Sequence, residues 1–471
     1  MSKDPILVLQ MQRMGDLIMT FPLLIRLLKN YPGHPVWVAA EESFYKGLIT
    51  IAPEVTFFPS NELSRLQGHR FHIVLNLSHR PEAAALGPKV EADTWFGPRQ
   101  DKAGNTYIHG NWQLYRTSLT HNNRHNRFHW GDLNELDLLP FSEIKRTCWN
   151  PVSISPAKTG VGIFLGASEP AKMPDVDFWV ELGKRLIRKG INPVFLGGAA
   201  ERELGRAVAA GVGFPQLNLA GRFDVPGLTA FLSGLRLLIT PDTGPMHLAA
   251  WQGVPVINLS MGPVNAWDTG PSQPSHLILR SNISCRGCWQ CNRGLACHRQ
   301  FVPSRIASIV SAVLSRGLGE EGRSYLAKLD LPGQEILFSA RRDGLYDLTP
   351  ARADTVHSNH ALLGNFWRSF FGANFRLWDN ETPQKSWQIL QERAESLLPA
   401  FDRALSKLTA EYASALKTHT PLAGDFWSSV PPLLRPLSGY LHLLLQNGDY
   451  SRESFAKGAG LLDLLSSITE P

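Results

Sequence analysis

The 471-residue chain is predicted to form two Rossmann-like, doubly wound α/β domains that face each other across a cleft, followed by a mainly α-helical extension. Two series of short apolar runs that alternate with amphipathic segments carry this prediction, because such alternation is typical of βαβ units and parallel sheets. The composition changes after "GLGEEG". We therefore expect domains over residues 1–157, 158–318 and 319–471.

The first series begins at Pro5. The run "ILVLQ" predicts a strand, "DLIMTFPLLIRLLKN" a helix, and "HPVWVAA" and "HIVLNLS" two more strands. Residues 100–158 follow no regular pattern. These elements predict the parallel sheet of the first domain.

The second series begins at Val161. Strands are predicted at "VGIFLGA", "NPVFLGG", "QLNLAG", "LRLLITPD" and "PVINLSM", with helices between them and an amphipathic helix near residues 306–314. In such folds ligands bind at the carboxyl ends of the strands.

The extension begins with a predicted hairpin, "EILFSARRDGLYDLTP", and continues as helices. Its aromatic residues partly follow a helical stripe, which favours the core of a small helical domain over a lipid-contacting face. They are Trp367, Phe370, Phe371, Phe375 and Trp378.

The composition of the chain limits the classes of protein to which it can belong. Hydrophobic residues make up 43% of the chain and charged residues 19%, and no apolar stretch approaches the roughly 20 residues that span a bilayer. The start "MSKDPILVLQ" lacks the features of a signal peptide, so we expect a cytoplasmic protein without a transmembrane segment. The net charge of +6 favours anionic partners, but the basic residues form no run, which argues against nucleic acid.

The segment "ITPDTGPMHLAAWQGVPVINL" places a tight turn between a strand and a helix. The free N–H groups at the start of that helix can bind a diphosphate; Gly244 permits close approach, and Thr243 can donate its hydroxyl. His247 lies one turn further on. Alternatively, Asp242 and Thr243 only cap the helix.

The segment "DTGPMHLAAWQGVPVINLSMGP" resembles the signature of glycosyltransferase family 9, the ADP-heptose:lipopolysaccharide heptosyltransferases, and "MGDLIMTFPLLIRLLKNYPG" is similar to that family's opening segment. The resemblance extends over residues 5–316. It implies a GT-B fold and inverting, metal-independent transfer from a nucleotide-sugar donor, ADP-heptose, with no required cofactor. The implied acceptor is a lipopolysaccharide core precursor or similar glycolipid at the cytoplasmic face of the inner membrane, where the protein would be peripheral.

The resemblance assigns Asp16 as the base that takes the proton of the acceptor alcohol. The carboxylate follows the first predicted strand at the rim of the cleft, and Gly15 keeps the adjacent backbone uncrowded. The alternative is that Asp16 caps the following helix.

Further residues would bind the donor. The family places a lysine on the diphosphate beside a hydroxyl residue, which matches Lys172 and Ser168, although Pro170 interrupts the loop. No paired carboxylates of the DxD type stand at a comparable strand end to recruit a metal. Spacing leaves open whether Glu201 or Glu203 accepts from the ribose hydroxyls.

Three assignments have structural alternatives. Phe223 would lie against the adenine or pack in the core. His247 would contact the nucleotide or act as a capping or core residue. Arg13 could bind an acceptor carboxylate or phosphate, or be a surface charge.

The segment "ISCRGCWQCNRGLACH" has four thiols at C-x2-C-x2-C-x5-C spacing. Thiolates so spaced could bind structural zinc or an Fe–S cluster, but the spacing is irregular for zinc, which favours free thiols or a facultative disulfide. The four are Cys285, Cys288, Cys291 and Cys297; the remaining Cys148 is expected to be buried.

Two other functions remain. A nucleotide-sugar epimerase could share the fold, but it would need additional acid/base pairs, and none is evident in the sequence. A non-catalytic scaffold could instead act through its C-terminal extension.

Overall fold

The computed structural model describes residues 3–285, 287–329, 331–352, 358–418, 420–422 and 424–470. It contains two sheets, each dominated by parallel strands, with helices around them. We call the part built on the first sheet lobe 1 and the part built on the second sheet lobe 2.

The first sheet has the strand order β3-β2-β1-β4-β5-β6. Neighbouring strands from β3 to β5 pair in parallel, and β6 is antiparallel to β5. Its strands are β1 Ile6–Leu9, β2 Val36–Ala40, β3 Thr56–Pro59, β4 Arg70–Asn76, β5 Glu91–Gln100 and β6 Thr106–His109. From β1 the chain continues to β2 and β3 on one side of β1, and it then returns to β4 on the other side. This change of direction opens a crevice at the carboxyl end of β1.

The helices of lobe 1 include three from residues 100–158, a region that showed no pattern in the sequence. They are α1 Met14–Asn30, α2 Glu42–Leu48, α3 Pro81–Ala84, α4 Asn111–Ser118, α5 Trp130–Leu133 and α6 Phe141–Lys145. The predicted β1, α1, β2 and β4 are confirmed, whereas β3, β5, β6 and α4 were not predicted.

The second sheet has the order β13-β12-β11-β10-β9-β7-β8. Its strands are β7 Val161–Phe164, β8 Pro193–Leu196, β9 Leu237–Pro241, β10 Val256–Ser260, β11 Leu277–Ser281, β12 Gln334–Arg342 and β13 Leu345–Pro350. Strands β7 to β11 pair in parallel. The predicted strand at 216–221 forms only a single bridge, from Asn218 to Phe195.

The helices of lobe 2 follow the predicted order, with one short helix, α11, that was not predicted. They are α7 Val176–Arg188, α8 Arg202–Val212, α9 Val225–Ser233, α10 Gly244–Trp251, α11 Ala266–Thr269 and α12 Pro303–Arg316.

The predicted hairpin forms, and it belongs to the second sheet. Strand β12 pairs with β11 antiparallel and β13 pairs with β12, so the sheet continues across the expected division at residues 318/319. The remaining helices are α13 Glu320–Ala327, α14 Asn359–Asn374, α15 Glu381–Arg393, α16 Leu398–Thr418, α17 Gly424–Ser429, α18 Arg435–Asn447 and α19 Arg452–Thr469.

The aromatic segment of α14 is core, as predicted. Trp367, Phe370 and Phe371 are fully buried. The ring of Phe371 lies 4.6 Å from that of Tyr115 in lobe 1. The extension therefore shares a hydrophobic core with the first lobe.

None of the helices in the part of the chain that the structure describes combines the length and apolar character required to traverse a lipid bilayer.

Candidate active site

The amino termini of α1 and α10 meet where the two lobes face each other. A β-carbon built on Gly15 would lie 2.8 Å from Cδ2 of His247 and 3.4 Å from Cα of Gly244. Both helices begin directly after the central strands β1 and β9, which brings together the two sequence motifs although they lie more than 200 residues apart. This meeting point is the candidate active site.

Asp16 lies in the first turn of α1. Its Oδ2 accepts a hydrogen bond from the backbone N–H of Arg13 at 3.2 Å, so it does cap the helix. Within the described residues Oδ1 accepts no hydrogen bond, which leaves it available to a substrate hydroxyl. The two interpretations of Asp16 are therefore compatible.

Burial raises the pKa of Asp16, and the positive charge of Arg116 opposes that rise. Burial lowers the pKa of the His247 imidazole, which is 5% exposed. A base with a raised pKa is better matched to proton transfer near neutral pH than an ordinary aspartate.

Thr243 is the N-cap residue of α10, yet its side chain makes no capping hydrogen bond. The hydroxyl is thus not consumed by the helix. Asp242 accepts a hydrogen bond from the hydroxyl of Thr269. The alternative in which both side chains only cap α10 is not what the structure shows.

Ser168 lies in the loop after β7 and accepts a hydrogen bond from Arg13 Nη1 at 2.7 Å. This bond joins the two lobes at the cleft. Lys172 ends a short 3-10 turn in the same loop, with its ammonium 3.4 Å from Glu169 and its side chain only 16% exposed. The loop thus brings one hydroxyl and one ammonium to the carboxyl end of β7.

The structure distinguishes the two glutamates. Glu201 Oε2 accepts from the backbone N–H of Gly198 at 2.7 Å, and a β-carbon on Gly166 or Gly197 would collide with the Glu201 side chain. Glu201 therefore lies at the carboxyl ends of β7 and β8, whereas Glu203 is exposed and paired with Arg206. Of the two, only Glu201 lies at these strand ends, and its contact with a ribose stays a prediction.

Phe223 precedes α9 and is partly buried, with its ring 4.8 Å from that of Phe231. This contact with Phe231 is a packing contact. Because the Phe223 ring is only partly buried, one of its faces is left for a nucleobase. The adenine role stays a prediction.

The cysteine segment 284–298 borders the candidate site. His298 Nε2 lies 2.8 Å from the carbonyl oxygen of Ala171, next to Lys172. On the other side, Trp289 Nε1 donates to Asn123 at 3.0 Å. The segment therefore connects the lysine loop of lobe 2 to lobe 1.

The five cysteines are free thiols. Cys291 Sγ accepts from the backbone N–H of Leu295 at 3.3 Å, and such hydrogen bonds lower the pKa of this thiol. Among the described residues, no group of three or more His, Cys, Asp or Glu side chains is arranged to hold a metal ion, and the zinc or Fe–S alternative stays a prediction. Cys148 is exposed, which corrects the expectation that it is buried, because it follows the end of α6 in an open loop.

Sequence reasoning missed Arg116, whose charge acts on Asp16, and also Trp130 and His79, which lie near Arg116. The guanidinium of Arg116 lies 4.8 Å from the centre of the Trp130 ring. The centre of the His79 ring lies 6.2 Å from the centre of the same Trp130 ring. Burial and the charge of Arg116 lower the pKa of His79 to about 4. No motif signals these residues; only the helical pattern of "NWQLYRTS" could have placed Arg116 on a helix.

Comparison with known proteins supports the architecture. A sequence model of "Glycosyltransferase family 9 (heptosyltransferase)" matches residues 135–296. The lipopolysaccharide core heptosyltransferase OpsX of Haemophilus influenzae is 23% identical over 279 residues, which cover 54% of this chain and 77% of the relative. Lipopolysaccharide heptosyltransferase 2 of Escherichia coli is 30% identical over 139 residues, which cover 28% of this chain and 39% of the relative.

Solved structures with a similar fold include E. coli ADP-heptose LPS heptosyltransferase II and a family 9 glycosyltransferase from Veillonella parvula. The first has a TM-score of 0.45 and 19% identity, covering 67% of this chain and 100% of the other. The second has a TM-score of 0.47 and 18% identity, covering 66% and 97%.

Two facing doubly wound lobes, with Gly15 of one packed against the start of α10 of the other, have the GT-B arrangement, and together with the family match they identify the chain as a glycosyltransferase. The match of the family model and the relatives makes the assignment more specific. Residues 135–296 are similar to glycosyltransferase family 9, the heptosyltransferase family, and the relatives are heptosyltransferases.

Proposed function

We propose that this enzyme is an inverting, metal-independent transferase that moves heptose from ADP-heptose to a lipopolysaccharide core precursor or a similar glycolipid. The observation that carries the proposal is the close approach of Gly15, the residue before Asp16 in lobe 1, to Gly244 and His247 at the amino terminus of α10 in lobe 2. A base and a diphosphate-binding helix start are thus close enough to act on one glycosidic carbon. The names of the relatives support the choice of sugar and acceptor.

The proposed reaction is a single displacement. The acceptor oxygen forms a bond to the anomeric carbon of heptose while the bond from that carbon to the diphosphate oxygen breaks, and its electron pair leaves with ADP. Asp16 takes the proton of the acceptor hydroxyl. Attack from the side opposite the leaving group inverts the anomeric configuration.

Groups of lobe 2 would stabilise the departing diphosphate. The N–H groups of α10 carry partial positive charge, Thr243 has an uncommitted hydroxyl, and Lys172 brings an ammonium group. Lys172 would exchange its contact with Glu169 for a phosphate oxygen. Ser168 and His247 would donate to the diphosphate or ribose, and Glu201 would accept from the ribose hydroxyls.

The acceptor would approach from lobe 1. A glycolipid acceptor places the reaction at the cytoplasmic face of the inner membrane, with the enzyme bound there peripherally. The net charge of +6 is compatible with an anionic glycolipid and its membrane.

The test combines ADP-heptose with heptose-free lipopolysaccharide in the presence of EDTA. We expect the acceptor to gain the mass of one heptosyl residue for each ADP released, with the inverted anomer seen by NMR. Asp16→Asn should lower kcat by about 10²–10⁴-fold, the usual contribution of a general base. Calorimetry should show that the variant still binds ADP-heptose.

Glu82→Gln is the matched control, because Glu82 is an exposed first-turn acid of α3 in the same lobe. It should transfer heptose normally. Turnover of ADP-heptose without acceptor would instead indicate an epimerase, and absence of ADP-heptose binding would leave only a scaffold.

A further inference from the structure

We propose that Thr269 is a positioning residue of the donor site: its hydroxyl holds the Asp242 carboxylate away from the start of α10, so that the backbone N–H groups there stay open to the diphosphate. The proposal rests on the proposed function, in which the start of α10 binds the diphosphate of the donor.

The first observation is the direction of the Thr269 hydroxyl. A threonine within a helix can donate to the carbonyl oxygen four residues earlier, as Thr20, Thr117 and Thr229 do. Thr269, the last residue of α11, donates instead to Oδ2 of Asp242, which lies 27 residues earlier in the chain. The hydroxyl is therefore directed at the residue that follows β9 and not at its own helix.

The second observation is the place of Asp242, whose side chain could otherwise close the start of α10. An aspartate readily accepts a hydrogen bond from the backbone N–H two residues ahead, which here is that of Gly244. Within the part of the chain that the structure describes, the N–H of Gly244 donates no hydrogen bond. A carboxylate bound to this N–H would occupy it and repel a diphosphate. Because Thr269 holds the carboxylate, the N–H group stays open to a phosphate oxygen.

Lobe 1 fixes the residue before Thr269. The side-chain amides of Asn123 and Asn126 each donate to the buried carboxylate of Asp268 at 2.5 Å. In the opposite direction, Nδ2 of Asn265 donates to the carbonyl oxygens of Asn123 and Asn126, at 2.7 and 2.9 Å. Since Asn265 is the N-cap residue of α11, lobe 1 holds this short helix at both of its ends.

Lobe 1 also fixes the residue after Thr269. Nδ1 of His129 accepts from the backbone N–H of Gly131 at 3.1 Å, so the proton of the neutral imidazole is on Nε2. This Nε2 donates to the carbonyl oxygen of Gly270 at 2.9 Å. Burial lowers the pKa of His129 to about 4, which keeps the ring neutral at pH 7. With both neighbours held, the backbone of Thr269 is fixed where its hydroxyl reaches Asp242.

The test measures the Kd of ADP and of adenosine by isothermal titration calorimetry for the wild type, Thr269→Ser and Thr269→Val. Valine has nearly the shape of threonine but no hydroxyl, whereas serine keeps the hydroxyl. Thr269→Val should raise the Kd of ADP about fivefold, the effect of one capping hydrogen bond that competes for the N–H group. Thr269→Ser should bind ADP like the wild type. The Kd of adenosine, which has no diphosphate, should stay unchanged in both variants.

A double variant tests whether Asp242 carries the effect. Asp242→Ala removes the competing carboxylate, so the addition of Thr269→Val should not raise the Kd of ADP further. Thr229→Val is the matched control, because Thr229 is a buried threonine of lobe 2 whose hydroxyl donates to its own helix at 2.7 Å. This control should bind ADP like the wild type. Thr269→Ala provides a second variant without the hydroxyl if Thr269→Val does not fold.

Three results would overturn the proposal. An unchanged Kd of ADP in Thr269→Val would show that the hydroxyl is not needed. Equal weakening of ADP and adenosine would show a purely structural role. A rise of the same size in the Asp242→Ala background would show that Thr269 acts without the carboxylate. If the wild type itself binds no ADP, the proposed function fails first and the role of Thr269 with it, so the wild-type titration separates the two cases.

Discussion

Gly15 of lobe 1 packs directly against His247 of lobe 2, and the space between them does not admit a methyl group. A β-carbon on Gly15 would lie 2.8 Å from His247 Cδ2, closer than van der Waals contact allows. Gly15→Ala should therefore push the starts of α1 and α10 apart and lower kcat/KM for heptose transfer by about 100-fold, since small displacements of catalytic groups are costly. Steady-state kinetics with ADP-heptose measures the effect.

Gly460→Ala is the control for the introduction of alanine into a helix. Gly460 lies within α19, and a β-carbon there meets nothing within 4 Å. This variant should keep full activity and gain about 0.5–1 kcal/mol in the free energy of unfolding. Full activity in Gly15→Ala would show that the lobes are not held as close as the structure indicates.

The hydrogen bond of Glu201 leads to a prediction about donor binding. In Glu201→Gln the amide oxygen can still accept from Gly198, so the loop should keep its shape. The amide nitrogen cannot accept from a ribose hydroxyl. The Kd for ADP should rise by about 10-fold, which is the effect expected when one charge-assisted hydrogen bond is lost. Isothermal titration calorimetry gives this Kd.

Glu203→Gln should leave the Kd for ADP unchanged, because Glu203 is exposed and faces Arg206. Equal weakening by both substitutions would argue against Glu201 as the specific ribose contact.

The sequence was sufficient to predict the elements with a clear apolar period. The buried β1 and β9 and the helices after them follow from runs such as "ILVLQ" and "LRLLITPD". Strand β5 was not predicted, because most of its ten residues are exposed or partly exposed and it therefore has no apolar run. The segment at 216–221 looked like a strand, but Asn218 uses its side chain to accept from Ala220 and the segment only bridges β8.

The residues of the candidate site were likewise predictable only where a sequence motif marks them. Asp16 and Thr243 stand in motifs, and each motif follows a strand, so their position at the sheet edge was predictable. The choice of Glu201 over Glu203 depends on a hydrogen bond to Gly198 that spacing alone does not specify. The charge of Arg116 acts on Asp16 only through tertiary packing, across 100 residues of chain.

The buried pair of Asp132 and Arg341 joins lobe 1 to the β12–β13 hairpin. Arg341 Nη1 donates to Asp132 Oδ1 at 2.7 Å, and both side chains are below 10% exposure. Burial alone would raise the pKa of Asp132, but Arg341 and a backbone N–H of Tyr346 more than offset it, so the pKa is lowered. Asp132→Asn should reduce the free energy of unfolding at pH 7 by about 3 kcal/mol, since it leaves a buried cation uncompensated.

The pH dependence of that loss follows from the sign of the shift. A carboxylate with a lowered folded pKa contributes stability that is fully present above its unfolded pKa and disappears as the pH falls through the folded one. The difference between wild type and Asp132→Asn in urea unfolding should therefore be largest near pH 7 and shrink below about pH 4. Glu453→Gln, which breaks the exposed pair with Lys457, should show no such difference.

The C-terminal extension is predicted to be inseparable from the two lobes. Strand β12 covers β11, which would otherwise become an apolar sheet edge, and the α14 aromatics pack against Tyr115 of lobe 1. A chain ending at residue 318 would expose both surfaces, so it should be insoluble or show no cooperative thermal unfolding. A chain ending at residue 352 keeps β12 and β13 but still exposes the aromatic contact, and it should unfold at a lower temperature than the full chain. Differential scanning calorimetry of the three chains makes the comparison. A truncated chain 1–318 with the full-length unfolding temperature would mean that the extension is an independent domain, contrary to the shared core.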